Sequence, residues 1–451
     1  MKSEWKNCTL DDIGTIKTGK TPPAKIGNAY GDGLPFITPR DMDERKFIRS
    51  TERCLTEDGV NSIKNYVIPE YSVSVSCIGS DMGKVIMTDK PSITNQQINS
   101  IIVNTTKYFP EYIYYNLSNR RKELRNIAGG TTMPIINKTD FSKISIQIPP
   151  LQIQKKIAHI LSTLDDKIEL NRKMNETLEA MAQALFKSWF VDFDPVHAKA
   201  QAKSEEELEV AATKLDISKE ILDLFPSEFE ESEMGMIPKG WKHDTLSKHI
   251  SVTKGKSYKS SELEESSTAL VTLKSFLRGG GYRTDGVKPY TGKYKDEQII
   301  QPGELIMAYT DVTQAADVIG KPAIVLPDEA IDILVASLDV GIVRTKTQKI
   351  NIMFLYHLFK TKRFQGYILG HTSGTTVLHL AKGWLDGYNI LLPSQEIMDR
   401  YNKLVSSLFN KMRLNIEEIR SLQKTRDTLL PKLLSGELDV SNIHIGLDNE
   451  E

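Results

Sequence analysis

Gly14-Thr15-Ile16-Lys17-Thr18-Gly19-Lys20-Thr21 fits the phosphate-loop pattern G-x-x-x-x-G-K-[ST] letter for letter. Such a loop grips a nucleotide only when a helix begins at its lysine, so that helix N-terminal amides meet the phosphates. Here Pro22-Pro23 follows at once, and Gly27, Gly31 and Gly33 come soon after, a run that does not make a helix. The pair Gly19-Lys20 returns as Gly255-Lys256, where Ile250 replaces the first glycine of the pattern. Nucleotide binding is set aside on these grounds, and Gly-Lys reads as a turn that presents a cation. A second shared turn, Gly130-Thr131-Thr132, returns as Gly374-Thr375-Thr376 and can offer hydroxyls and backbone amides to phosphate.

No other catalytic arrangement emerges. The chain lacks a G-x-S-x-G elbow, an H-E-x-x-H helix, a Cys-x-x-Cys pair and an Asn-Pro-Pro-aromatic motif for amino-methylation. Its eight histidines are scattered, and Cys8, Cys54 and Cys77 have no metal-type spacing, so they read as reduced thiols. We therefore expect no catalytic site and no metal or cofactor in this chain. Contact with a polyanion suits the remaining polar positions better. Lys20, Arg40, Lys84, Gln96, Gln97, Thr131 and Thr132 are the candidates in the first half. Lys256, Arg278, Arg283, Gln314, Thr375 and Thr376 are those in the second. Lysines and threonines would hold phosphate, while amides and arginines could read base edges.

These residues sit in a chain written twice. Trp5-Lys6 and Thr9-Leu10 return as Trp241-Lys242 and Thr245-Leu246, an offset of 236, and the later pieces return at 244. Alternating runs at Tyr71–Ser76, Ile144–Ile148, Glu304–Tyr309 and Tyr388–Leu392 predict strands, the first with one buried face. Helical spacing covers 109–125, which carries the basic cluster Arg120, Arg121, Lys122 and Arg125, and returns at 353–364. Each copy closes with a heptad segment. Ile157, Leu164, Asn171 and Leu178 share one core position in the first, and Leu408, Asn415 and Leu422 share it in the second. The matched Asn171 and Asn415 suggest mutual pairing, because a buried asparagine fixes register at some cost in stability. A helix from Ile157 to Trp189 is about 50 Å long at 1.5 Å per residue, which suits a spacer.

Net charge is −1, yet residues 1–150 hold 20 Lys+Arg against 16 Asp+Glu and residues 236–392 hold 20 against 15. The stretch 200–235, with 3 against 11, cancels them. Both globular parts are thus mildly basic, and local charge rather than the sum governs attraction to phosphate. No run of eighteen apolar residues occurs, and MKSEWKNCTL lacks the apolar stretch of a signal peptide, so a cytoplasmic protein is expected.

Several longer segments resemble the specificity subunits of type I restriction-modification systems. They are Leu185-Phe186-Lys187-Ser188-Trp189-Phe190-Val191-Asp192-Phe193-Asp194-Pro195, Met236-Ile237-Pro238-Lys239-Gly240-Trp241, Thr94-Asn95-Gln96-Gln97-Ile98-Asn99 and the closing Leu429–Leu438. The resemblance covers nearly the whole chain and implies an α+β fold. Target recognition domains at 1–150 and 236–392 would be joined by conserved long helices at 151–195 and 393–440, forming an antiparallel coiled coil. Residues 196–235 would be an acidic connector and 441–451 a tail. Each domain would read half of a split double-stranded DNA site. Two modification subunits, which methylate adenine from S-adenosylmethionine, and restriction subunits using ATP and magnesium would assemble on it, with Trp189, Phe190 and Phe193 as docking residues. Where the first half has TNQQIN, the second reads Leu334-Val335-Ala336-Ser337-Leu338-Asp339, a departure from the pattern. Two alternatives stay open: a coiled-coil scaffold without nucleic acid, and the recognition part of a fused nuclease–methyltransferase.

Overall fold

The alternation at Ile144–Ile148 becomes strand Ser145–Ile148, paired antiparallel with Lys6–Thr9 so that the first globular part is closed at its own ends. Lys242–Thr245 and Asn389–Leu392 repeat that closure. The computed structural model describes residues 5–43, 45–48, 50–127, 134–233, 235–312, 315–375 and 377–443. It divides into two compact units, Met1–Lys173 with Ile416–Glu451, and Met174–Asn415.

Inside the first unit a four-stranded antiparallel sheet runs in the order Gly14–Thr18, Ile98–Val103, Val73–Ser76, Val85–Met87. Inside the second, Ile250–Lys254, Val340–Thr345, Leu305–Ala308 and Pro322–Ile324 take the same order. Each unit adds a second sheet with a parallel pair, Tyr30–Ile37 beside Ile93–Thr94 in one and Thr268–Val271 beside Ile333–Ala336 in the other. Val73–Ser76 is buried on both faces rather than one. Its serines tolerate this because Ser74 and Ser100 share a buried hydroxyl–hydroxyl hydrogen bond of 2.8 Å across the strands. The helical spacing near 109–125 resolves into two helices, Pro110–Ser118 and Arg121–Ile127, and its repeat into Ile352–Lys360 and Lys362–Gly370.

The heptad segments form helices Leu151–Phe190 and Gln395–Leu434, forty residues each and offset by the same 244. They run antiparallel. In the first unit Arg426 meets Asp165 at 2.7 Å and Lys167 meets Glu418 at 3.5 Å. In the second unit Asn415 and Asn175 pair side chain to side chain at 2.8 Å. Ile157 and Leu161 are fully buried with Leu433 in the first unit's core, while Leu164, Leu178, Leu408 and Leu422 are half-buried along the seam. Asn171 and Asn415 are both buried at 1% exposure, but each takes a different partner within its own unit. Asn171 donates to Glu418 at 2.8 Å, and Asn415 donates to Asn175, whose own amide donates to the Met412 carbonyl at 3.3 Å.

The acidic connector folds as helices Asp194–Gln201, Glu205–Lys214 and Lys219–Asp223, then a hairpin of Phe229–Ser232 with Gly235–Pro238. No helix among the described residues is long and apolar enough to cross a membrane.

Candidate nucleic-acid interface

Gly19-Lys20 does not open a helix. At the end of strand Gly14–Thr18, the Gly19 amide donates to the Ile98 carbonyl at 3.1 Å and the Lys20 amide to the Thr94 carbonyl at 2.8 Å. A Cβ on Gly19 falls 2.1 Å from the Thr94 carbonyl oxygen and 2.3 Å from that of Asn95, well inside van der Waals contact. Gly255-Lys256 makes the same clasp. Its amides donate to Val340 at 3.0 Å and Ala336 at 2.8 Å, and a Cβ there falls 2.1 Å and 2.3 Å from the Ala336 and Ser337 carbonyl oxygens. The glycine is thus required for backbone approach, a packing reason rather than a phosphate-binding one. These bonds also correct the correspondence between halves. Thr94, Asn95, Gln96 and Gln97 answer to Ala336, Ser337, Leu338 and Asp339, two residues beyond the expected match.

In the first unit the clasp edges a cleft of about 850 Å³ lined by Arg40, Arg53, Asn95 and Gln97 among others. Arg40 is exposed. Gln96 is exposed, and its carbonyl accepts from the Thr21 hydroxyl at 2.7 Å. Gln97 is half-buried, and its carbonyl accepts from the Asn95 amide at 3.1 Å. Lys20 is exposed with its ammonium 5.2 Å above the Tyr66 ring. Lys84 is less available: it pairs with Asp81 at 2.8 Å and reaches the Pro39 carbonyl at 3.4 Å. Sequence reading missed Arg53, whose guanidinium stacks 4.7 Å from the Tyr30 ring and 5.4 Å from Phe36. Such stacking fixes a planar donor fork at the cleft wall. The basic cluster past the first domain helix is largely committed inside the unit. Arg120 pairs with Glu123, Arg121 donates to the Met82 carbonyl, and Arg125 donates to that of Ser80.

In the second unit Lys256 is half-buried, and its carbonyl accepts from Leu338 at 2.8 Å. Arg278 is 85% exposed beside the Gly279–Gly281 turn, with Asp317 3.7 Å away. Arg283 is held bidentate by Asp285 at 3.0 and 2.6 Å. Leu338 is 50% exposed, and Asp339 accepts from the Thr310 hydroxyl at 2.9 Å. Lys254, which sequence reading passed over, lies 4.6 Å above the Tyr309 ring, where burial and then Lys382 pull its pKa down. Thr375 is exposed on a turn where Gly374 takes φ 117°. Thr131, Thr132, Gln314 and Thr376 lie outside the described residues.

The docking expectation is corrected at Trp189. That ring is 1% exposed and packs on Phe225, Phe190 and Tyr401 in the second unit's core. Phe190 contacts Trp241, Phe354 and Tyr401, and Phe193 contacts Trp241 and Phe229. The helices after residue 193 bury this face within the chain, so Trp189 is core and the two phenylalanines are mostly spent on it. Among the described residues no group of three or more His, Cys, Asp or Glu could hold a metal ion. Cys8, Cys54 and Cys77 are free, and burial pushes the Cys77 thiol up to about 11.

Residues 2–180 match the family model described as "Type I restriction modification DNA specificity domain". The chain is 27% identical to the type I restriction enzyme MjaIX specificity subunit of Methanocaldococcus jannaschii, over 98% of this chain and 95% of that one. It is 28% identical to the HindI specificity subunit of Haemophilus influenzae, over 97% of this chain and all of that one. Among solved structures, the S subunit of a type I restriction-modification system from M. genitalium superposes with a TM-score of 0.52 at 17% identity, covering 95% and 96% of the two chains, a likeness of fold. With its repeated sheets and paired forty-residue helices, the chain is similar along nearly its whole length to type I restriction-modification specificity subunits.

Proposed function

We propose that this chain is the DNA-sequence specificity subunit of a type I restriction-modification complex. Each unit contacts one half of a bipartite double-stranded site, with unread bases between the halves. One observation carries this reading. The backbone clasp is the same in both units, yet the residues seated on it differ, Asn95-Gln96-Gln97 in one and Ser337-Leu338-Asp339 in the other. A common frame bearing different edges is what two readers of different sequences need. Exposed cations such as Lys20 and Arg40 supply affinity for phosphate without sequence preference. Catalysis belongs to partners on this reading: modification subunits carry S-adenosylmethionine and methylate adenine, and restriction subunits use ATP and magnesium.

The test is a hybrid. Residues 236–392 are exchanged for the equivalent unit of a relative, and methylated adenines are mapped genome-wide with the modification subunits present. One half-site should change and the other should stay. A continuous motif, or a change in both halves together, defeats the bipartite reading.

A further inference from the structure

In the first unit's cleft the orientation of one glutamine follows from a backbone hydrogen bond. The Gln97 amide N–H donates to the Asn95 side-chain oxygen at 3.1 Å. A backbone N–H only donates, so the atom facing it must be Oδ1, and Asn95 presents its NH2 on the other side. That NH2 lies 3.1 Å from the Gln97 side chain, which must answer with its own oxygen. The Gln97 NH2 group is therefore turned away from Asn95. Asn95 itself is 9% exposed, and its carbonyl neighbour Thr94 is held by the Lys20 amide, so the clamp rests on the unit's rigid frame.

We infer that Asn95 sets the polarity of the base edge that the first unit reads, by holding Gln97 with its NH2 donor outward. The inference rests on the DNA reading above and names the chemistry of that site. The groups around Gln97 agree with it. Arg40 and Arg53 are donors only, and Gln96 has its carbonyl engaged by Thr21. Of the two acids lining the cleft, Asp81 is neutralised by Lys84, and Glu52 is exposed to solvent. The outward donors of Gln97, Arg40 and Arg53 together fit a base edge of acceptors, and in the major groove guanine offers two, O6 and N7. Asn95 is a positioning residue here and Gln97 the reader.

Asn95→Asp tests this without touching the reader. The aspartate still accepts from the Gln97 N–H, but its second oxygen now demands a donor. The Gln97 amide must then flip and present oxygen outward. Gln97→Glu reaches the same end by another route, since one glutamate oxygen accepts from Asn95 and the other faces the base. Wild type, Gln97→Ala and these two variants are purified with their modification subunits, and each complex selects from DNA randomised across both half-sites. We expect Gln97→Ala to relax one position, a guanine, by about tenfold, the lower range for a base contact. Asn95→Asp and Gln97→Glu should move that position to a base offering a donor, cytosine or adenine, with the other half-site unchanged. The inference is overturned if the relaxed position is a cytosine in wild type. It is equally overturned if both polarity variants keep guanine there while the second half-site is still selected, which shows the complex intact. Selection of no sequence by the wild-type complex would instead defeat the DNA reading itself.

Discussion

The two units share a frame and differ in what fills it. Their main sheets have the same strand order, and their Gly-Lys clasps close on equivalent carbonyls to within a few tenths of an ångström. At equivalent places on the first domain helix, however, the first unit has Tyr115 and the second His357. Tyr115 donates to Asp165 of the first long helix at 2.7 Å, an acid also held by Arg426. His357 is 1% exposed; its Nδ1 faces the Met353 carbonyl and the Tyr401 hydroxyl at 2.9 Å each, and its Nε2 has no partner. Backbone geometry is thus repeated, while buried polar networks were solved separately in each copy. The frame answers to chain topology, and the side chains answer to local packing.

That contrast predicts an acid sensitivity confined to the second unit's histidine. Burial pushes His357 down to about 4 from the usual 6.5, with Glu179 opposing the shift. Its folded pKa is depressed, so the unfolded chain binds the extra proton first as pH falls. Stability from the neutral ring is complete above about 6.5 and is lost between there and about 4, amounting to about 3 kcal/mol. Glu179, Lys360 and Tyr401 surround the site, and Glu179 is already engaged by Lys360 and Tyr356. Urea unfolding of wild type and His357→Phe at pH 7 and pH 4.5 checks this. The variant should lose markedly less stability between the two pH values. Equal losses would mean the histidine is not the titrating group.

The clasp makes the opposite prediction, that the two units respond alike. Gly19→Ala and Gly255→Ala each place a methyl against backbone carbonyls that cannot turn aside as a side chain would. Each should cost about 2 kcal/mol, in the range for overpacking a close contact. Thermal melting of the two variants should give similar shifts. If one is tolerated and the other is not, the clasp is a shared outline rather than a shared constraint.

Legibility followed the range of the interactions. The repeat, the strand alternation at Ser145–Ile148 and both long helices were readable because periodicity and spacing are local properties. The role of Gly19 was not, because its reason lies in carbonyls some 75 residues away. Trp189 was misread for a related cause: a Trp-Phe run at a helix end looks exposed until the following helices fold over it. Candidate readers were harder still. Gln96, Gln97 and Arg40 could be named from their chemistry, but Arg53 gains its place only through the Tyr30 and Phe36 rings beneath it. Lys84 and Arg283 looked free in sequence and prove to be paired with neighbouring acids.

The smallest expected effect separates the two asparagines that the repeat matches. Asn415 pairs with Asn175, and replacing it by leucine strands a half-buried amide oxygen without its donor. Asn171 instead donates to Glu418, which is exposed and meets Lys167, so its loss leaves a carboxylate that water can serve. Asn415→Leu should therefore destabilise by about 1 kcal/mol more than Asn171→Leu, a difference set by the stranded polar group. Adding Asn175→Leu to Asn415→Leu should recover that difference, because replacing both partners removes the unmet hydrogen bond along with the bond itself. Equal costs for the two single variants, with no recovery in the double, would show that the asparagines act through a feature common to both. The symmetric register device expected from sequence would then describe the helices better than the two unlike pairings seen here.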